Sequence, residues 1–280
     1  MLQNIENFLR IESLDDAIRL LKEQSGCCAV IAGGTSLLKS GNTKLKTLIK
    51  LTDPSLFEIK VLENSIFIGS HCVINDIFRN EYFTEYKYDM FYDTCLTLAS
   101  EPLRNIITLG GNVYQVYPWS NFPVLLSVID NAFAVINADS RISINDLYKR
   151  HPKLVLKPYE IITSIEIPVM PKNVKISFMR LSKTAFDYSL VSAAVNLKLN
   201  CKVIKSLKIS IGAVSPVPFR LYAVEEKYLN RDLSEKVVDE ICSDIIKTVK
   251  PNKDYRVSSE YKKEMCGTVV KKILNRFLEA

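Results

Sequence analysis

Hydrophobic and polar positions change their spacing several times along the chain, and each change predicts a new element. Over residues 13–24 apolar side chains recur every three or four positions, which predicts a helix capped by Ser13. Short apolar runs over 28–32 and 47–51 predict buried strands, and a glycine pair follows the first run. The N-terminal part therefore predicts a helix, a strand, a glycine loop and a second strand.

From residue 57 onward alternating runs predict strands, and helical spacing separates them. Two alternating runs within 57–70 predict a hairpin that turns at residues 63–65. Strands are also predicted within 132–144, with a turn at 138–140, and over 160–168, and helices over 74–83, 88–100 and 121–130. Pro168 and Pro171 mark a boundary. Beyond it, strands are predicted over 174–182, 190–200 and 203–214, and helices over 219–230, 233–249 and 258–277. Strands grouped before helices indicate an α+β unit.

Composition and charge exclude several classes of function. The 280 residues are 48% hydrophobic, and the formal charge of +6 comes from interspersed acids and bases. No basic stripe with interleaved aromatic residues is present, so nucleic acid is not an expected partner. No apolar run has the length of a membrane span, and the acidic N-terminus lacks a secretory signal pattern. We expect a cytoplasmic protein with no membrane partner.

Cysteine and histidine patterns offer no metal site and no catalytic group. The seven cysteines are scattered and form no CxxC pair, so reduced thiols are expected. His71 and His151 are the only histidines, and each is expected to be a loop or surface residue. No catalytic acid or base is therefore assigned.

Two glycine doublets are the candidate binding features. The chain has 9 glycines, and four of them lie at 33–34 and 110–111. A diphosphate needs several donors at once, and backbone N–H groups supply them where glycine lets the chain turn sharply. Thr35 and Ser36 add hydroxyl donors, and a helix beginning near Leu37 would add its positive end.

Spacing alone leaves the doublets with two interpretations of equal weight, a tight turn and a phosphate cradle. Neither doublet matches GxxxxGK[ST] or GxGxxG, which disfavours a Walker or a Rossmann site. Three longer segments, IAGGTSLL, SEPLRNIITLGGN and DYRVSSEYKKEM, are more specific. They resemble, in order and spacing, the motifs of the flavoprotein subunits of molybdenum hydroxylases, the xanthine dehydrogenase and carbon monoxide dehydrogenase family.

That resemblance spans essentially the whole chain and implies its fold. The family has a PCMH-type FAD-binding fold of two small α/β lobes, followed by an α+β C-terminal domain with a three-stranded antiparallel sheet and helices. The implied division is FAD-binding lobe 1 over 1–55, FAD-binding lobe 2 over 56–170 and a C-terminal flavoprotein domain over 171–280.

The resemblance also implies which residues bind FAD. The family's first loop contacts the FAD diphosphate and corresponds here to Ala29, Val30, Ile31, Ala32, Gly33, Gly34, Thr35 and Ser36. The family's TxGGN loop corresponds to Thr108, Leu109, Gly110, Gly111 and Asn112. Ile162 takes the place of an apolar residue beside the flavin, and Asn121 that of an aspartate that binds the FAD ribose. The family's usual Asp after the first loop's Thr is Ser36 here, and a frequent Lys contact is Met179.

The function implied is that of an FAD-dependent oxidoreductase subunit. In the family, substrate is oxidised at a molybdenum cofactor on a large subunit, and electrons pass through [2Fe-2S] clusters on a small subunit to FAD. NAD⁺ or another acceptor then takes them, and the substrate expected here is a purine or another N-heterocycle. Two alternatives remain open: a free-standing PCMH-type flavin oxidoreductase, and a non-catalytic assembly module that has lost FAD.

Overall fold

The computed structural model describes residues 1–84, 88–171 and 173–279, which form twelve strands and twelve helices. The strands are β1 Asn7–Ile11, β2 Cys28–Val30, β3 Thr47–Leu51, β4 Ile59–Val61, β5 Ser65–Gly69, β6 Phe133–Ile136, β7 Ser140–Ser143, β8 Ile162–Pro168, β9 Val174–Leu181, β10 Val191–Asn200, β11 Val203–Gly212 and β12 Phe219–Arg220. The helices are α1 Leu14–Glu23, α2 Ile74–Arg79, α3 Glu81–Thr84, α4 Asp89–Leu96, α5 Glu101–Arg104, α6 Leu109–Gln115, α7 Asn121–Leu126, α8 Ile144–Leu147, α9 Pro152–Val155, α10 Tyr222–Lys227, α11 Glu235–Thr248 and α12 Ser259–Glu279.

These elements fall into two compact units. The first unit consists of Met1–Asp76, Glu101–Gln115 and Asn131–Val169, and the second of Ile77–Ser100, Val116–Asp130 and Met170–Ala280. The α+β class predicted from the sequence is confirmed. The division at residues 55 and 170 stays a prediction.

A parallel sheet and one helix open the first unit. Strands β1, β3 and β2 pair in that order, so β3 is central. Helix α1 begins where its pattern predicts, because the Ser13 hydroxyl oxygen accepts the N–H of Asp16 at 3.2 Å. Ala17 and Leu21 of α1 are buried in one cluster with Ile49 and Leu51 of β3. The carboxyl ends of parallel strands share one edge, so the chain leaves β2 and β3 on the same side.

An antiparallel sheet of five strands completes the first unit, in the order β4-β5-β8-β6-β7. The hairpin predicted around residue 64 is confirmed by β4 and β5, which pair Ile59 with Ile68. The third strand in order, β8, pairs with both β5 and β6, and its residues Ile165 and Ile167 are fully buried.

The second unit is built on a four-stranded antiparallel sheet, in the order β12-β11-β10-β9. Its three long strands are those predicted, and the two-residue β12 adds a fourth. Strand β10 reads as a nearly unbroken apolar run because it is covered on both faces. Val195 and its face pack with α11 and α12, while Asn196 on the other face donates to the carbonyl oxygen of Val128 at 2.8 Å.

No helix within the described ranges is both long and apolar enough to span a bilayer.

Within the second unit, a buried ion cluster links the start of α12 to the segment before it. Asp254 Oδ2 lies 2.8 Å from Arg256 Nη2 and 2.7 Å from Lys262 Nζ. The Asp254 and Lys262 side chains are only 9% and 3% exposed. Lys262 also donates to the carbonyl oxygen of Ala213 at 2.8 Å. Hydrogen bonding to Arg256, and also to Lys262, holds the pKa of Asp254 well below its ordinary value, against the opposing effect of burial.

We expect Asp254→Asn to lower the free energy of unfolding by about 3 kcal/mol at pH 7, because it leaves the Lys262 ammonium buried and unpaired. A depressed carboxyl pKa stabilises the fold above the unfolded-state pKa, and this stabilisation is lost as the pH falls through the folded-state pKa. The difference in unfolding free energy between the wild type and Asp254→Asn, measured by urea unfolding, should therefore become smaller below about pH 4. The control is Asp239→Asn, which removes an exposed pair with Lys271 and should leave the midpoint nearly unchanged. Equal losses in both variants would contradict a special role for the cluster.

Candidate functional site

The first glycine loop leaves the carboxyl edge of the parallel sheet. Ala29 and Val30 belong to β2, and Val30 is in register with Ile49 of β3. The N–H of Ile31 donates to the carbonyl oxygen of Ile49 at 2.8 Å. The strand predicted to reach residue 32 thus ends earlier, and the chain turns away through residues 32–36, which we call the donor loop.

Three consecutive backbone N–H groups of the donor loop, those of Gly33, Gly34 and Thr35, have no hydrogen-bond partner among the described residues. Gly34 has a φ of +73°, a left-handed conformation that glycine adopts without strain. The helix expected after the loop is a single 3₁₀ turn, Leu37–Lys39, with Ser36 at its N-cap. Successive free N–H groups in a curled segment form a concave donor site suited to an anion.

The second glycine segment, from Thr108 to Asn112, is the first turn of α6 rather than a loop. The Thr108 hydroxyl oxygen accepts the N–H of Gly111 at 3.2 Å, and its carbonyl oxygen accepts that of Asn112 at 2.9 Å. The N–H of Gly110 donates to the carbonyl oxygen of Ser70 at 2.9 Å. These donors are used within the protein. The group left for a ligand is Asn112 Oδ1, which is buried and has no partner in the described part of the chain.

Two close backbone approaches require glycine at positions 33 and 110. A Cβ on Gly33 would lie 1.8 Å from the carbonyl oxygen of Ile106, and one on Gly110 would lie 2.5 Å from the Cβ of Ser70. Ile106 precedes Thr108 by two residues. The first approach therefore brings the donor loop against the segment that leads into α6.

Ile162 belongs to the same unit and is connected to α6 through Ser70. It begins β8, and it is 7% exposed. The next residue, Thr163, accepts the N–H of Ser70 at 2.9 Å, and Ser70 in turn accepts the N–H of Gly110. Leu109 is fully buried beside them. The structure thus places the predicted residues 29–36, 108–112 and 162 in one unit.

Asn121 and Met179 lie in the second unit. Asn121 begins α7 and is 3% exposed, its Nδ2 donating to Thr97 Oγ1 at 3.3 Å and its Oδ1 accepting from Ser189 Oγ at 3.4 Å. Both polar ends of this amide therefore have partners in their own unit, and the assignment to the ribose stays a prediction. Met179 packs against the hydrophobic core beside β10.

A cation and a neutral imidazole accompany the donor loop, and the sequence did not reveal either. Lys50 Nζ donates to the carbonyl oxygen of Ala32 at 3.4 Å, and burial, with the nearby charge of Arg10, lowers the Lys50 pKa. His71 was expected in a loop or at the surface; it lies in a turn but is only 4% exposed. Its Nδ1 is 3.1 Å from Ser70 Oγ. Burial, followed by the charge of Lys50, lowers the pKa of His71 to about 4, so the ring is neutral at pH 7.

Most of the cysteine side chains are buried rather than exposed at the donor loop. None of the seven cysteines, all of them among the described residues, forms a disulfide, and five are buried. Burial is the main cause that raises the pKa of Cys72 to about 12. Within residues 1–84, 88–171 and 173–279 no group of three or more histidine, cysteine or acidic side chains is arranged to hold a metal ion.

The groups present fit a diphosphate-bearing cofactor such as FAD. Free N–H groups in the donor loop match diphosphate oxygens, and Asn112 Oδ1 can accept from a ligand hydroxyl or N–H group. Leu38 and Ile106 flank the donor loop with side chains that are 44% and 45% exposed, so apolar surface lies beside the donors.

Two family models cover nearly the whole chain. One is described as the FAD binding domain in molybdopterin dehydrogenase and matches residues 3–170. The other, the CO dehydrogenase flavoprotein C-terminal domain, matches residues 176–277. The chain belongs to the FAD-binding subunits of the molybdenum hydroxylases. This flavoprotein subunit accordingly carries an FAD-binding domain.

Individual relatives agree with the assignment along the full length of the flavoprotein subunit. It is 27% identical to the glyceraldehyde dehydrogenase medium chain of Sulfolobus acidocaldarius, covering 95% of this chain and 96% of that one. It is 21% identical to the carbon monoxide dehydrogenase medium chain of Hydrogenophaga pseudoflava, covering 94% of each. A solved structure of carbon monoxide dehydrogenase from Hydrogenophaga pseudoflava shares its fold, with a TM-score of 0.90 at 21% identity over 98% of both chains.

The approach at Gly33 can be tested by adding one methyl group. Gly33→Ala places a Cβ against the Ile106 carbonyl oxygen, and we expect a loss of about 2 kcal/mol or more in the free energy of unfolding. The control is Gly41→Ala, where φ is +65° but no atom lies within 4 Å of the new Cβ, and the expected loss is about 1 kcal/mol. Urea unfolding of the flavin-free chain measures both. An unchanged free energy of unfolding in Gly33→Ala would mean that the donor loop and the Ile106 segment can move apart without loss of stability.

Proposed function

We propose that this chain is the FAD-carrying electron-transfer subunit of a molybdenum hydroxylase complex, and that the donor loop holds the FAD diphosphate. The observation that carries the proposal is the row of three unpaired N–H groups at Gly33, Gly34 and Thr35. A buried or half-buried donor without a partner costs free energy, so such a row is retained where a ligand completes it.

The remaining contacts follow from position and chemistry. Residues 29–36 supply the loop and its strand, while Thr108, Leu109, Gly110 and Gly111 shape the turn that carries Asn112. Asn112 Oδ1 accepts from a hydroxyl or N–H group of the cofactor. Ile162 is assigned to the flavin ring and Asn121 to the ribose by their places in the family motifs.

In this function FAD supplies the redox chemistry, and the protein supplies position, electrostatics and exclusion of water. The donor loop would hold the diphosphate in the middle of the cofactor, so it would position the flavin and adenosine parts that lie on either side. No side chain of this chain is needed as a general acid or base.

The partners proposed are a molybdenum-binding large subunit and a small subunit with [2Fe-2S] clusters, in the cytoplasm. Electrons would enter from the clusters and leave to NAD⁺ or another acceptor. For the substrate we propose a purine or another N-heterocycle. Support for this class comes from relatives named caffeine dehydrogenase subunit beta and xanthine dehydrogenase FAD-binding subunit, at 21% and 22% identity.

Reconstitution and co-purification test the proposal at two levels. The purified chain should take up FAD and show the visible absorption of a bound flavin, and a colourless chain that takes up none would favour the assembly-module alternative. Purified from its native host, the chain should co-purify with subunits containing molybdenum and iron. Full substrate turnover by the isolated chain would instead identify a free-standing oxidoreductase.

Asn112 provides a sharper test of the site itself. In Asn112→Ala we expect FAD affinity to fall about tenfold, because one hydrogen bond to the cofactor is lost. The flavin-free variant should be no less stable than the wild type, because the substitution removes a buried acceptor that has no partner there. Flavin fluorescence titration and urea unfolding measure the two quantities.

The matched control is Gln115→Ala, which truncates an amide at the other end of α6. It should leave FAD affinity unchanged. If both variants bind FAD like the wild type, Asn112 does not contact the cofactor.

A further inference from the structure

Lys50 lies behind the donor loop and belongs to neither glycine motif. It sits on β3, the central strand of the parallel sheet, and its ammonium donates to the carbonyl oxygen of Ala32 at 3.4 Å. The same ammonium lies 5.7 Å from the centre of the Phe57 ring, within the range of a cation–π interaction. The cation is thus held between the loop backbone and an aromatic face.

The carbonyl that Lys50 binds shares a peptide group with the first free donor. The Ala32 carbonyl and the Gly33 N–H belong to one planar peptide bond, and none of the described peptide bonds is cis. In a trans peptide the C=O and N–H bonds point in opposite directions. A carbonyl fixed toward Lys50 therefore aims the Gly33 N–H away from Lys50, to the far side of the loop.

We propose that Lys50 is a positioning residue for the FAD diphosphate, orienting and polarising the Gly33 N–H through the Ala32 peptide group. The inference rests on the proposed function of the donor loop and adds a residue that no motif contains. Lys50 acts without touching the cofactor. A hydrogen bond to one end of a peptide group strengthens the donor at its other end.

The charges around Lys50 support this role. No carboxylate pairs with Lys50 among the described residues, and its neighbour in register on β1 is another cation, Arg10. His71 is neutral at pH 7, because its pKa is lowered to about 4. Lys50 thus carries a positive charge that no neighbouring anion offsets. Across one peptide group such a charge attracts an anion even at the effective dielectric of a protein surface.

The consequence is selectivity among flavins. FAD carries a diphosphate, whereas riboflavin has the same ring and no phosphate. Loss of Lys50 should weaken only the interaction with the diphosphate, whereas a general distortion of the fold would weaken the binding of both ligands.

The test is a titration of the purified chain with FAD and with riboflavin, followed by flavin fluorescence. In Lys50→Met we expect FAD affinity to fall about fivefold to tenfold, while riboflavin affinity stays within about twofold. Lys50→Arg keeps a cationic donor and should recover most of the preference for FAD. Lys46→Met is the charge-matched control, because Lys46 pairs with Glu6 on the surface and should change neither affinity.

Glycine amide resonances report the orientation directly. The chain has 9 glycines, so selective ¹⁵N-glycine labelling gives a spectrum in which Gly33 can be assigned by substitution. In the flavin-free Lys50→Met protein the Gly33 amide resonance should shift, while that of Gly41 should not. This measurement also shows whether the variant is folded.

The possible outcomes separate this inference from the proposed function. A wild-type chain that binds neither flavin overturns the proposed function. A wild-type chain that prefers FAD, with the preference and the Gly33 resonance unchanged in Lys50→Met, overturns the role of Lys50 alone. Equal weakening of FAD and riboflavin in that variant would also overturn it, because Lys50 would then stabilise the fold in general.

Discussion

The contact of the Gly33 backbone with the carbonyl oxygen of Ile106 is the constraint on which the candidate site depends. With any Cβ at position 33 the two segments would have to separate, since the Cβ would lie 1.8 Å from that oxygen. The contact holds the donor loop against the chain that leads into α6. A second approach, Gly110 on Ser70, fixes α6 against the end of β5. In a chain with so few glycines, one glycine of each doublet is therefore needed for a close backbone approach, whether or not a ligand is bound.

The two glycine segments have different chemical roles, although their sequences look alike. The first leaves consecutive N–H groups free, so it can offer donors. The second uses its N–H groups on Thr108 and Ser70 and leaves an acceptor, Asn112 Oδ1. Donors suit the anionic middle of a dinucleotide cofactor, and an acceptor suits its hydroxyl and N–H groups. In the proposed site, the first segment would therefore contact FAD through backbone donors and the second through a side-chain acceptor.

The sequence predicted features that depend on residues close together in the chain. The Ser13 cap, the apolar periods of α1 and β3 and the alternation of β4 and β5 are confirmed because each depends on near neighbours in the chain. Family motifs then identified the cofactor, which spacing alone left open. The sequence did not predict three tertiary features: the burial of His71, the hydrogen bond from Lys50 to Ala32 and the part of Lys262 in the Asp254 cluster. The turn of α6 had a local signal, a Thr at its N-terminus, that the glycine pattern obscured.

The unpaired donors of the donor loop also affect how stable the protein is before it binds its cofactor. A ligand that binds only the folded state adds RT ln(1 + [L]/Kd) to its stability, about 2.7 kcal/mol when the ligand is at a hundredfold excess over Kd. Flavin supply would then set how long a newly made chain survives proteolysis before it meets its partners. Three N–H groups without partners would in this way couple vitamin status to the abundance of the whole complex.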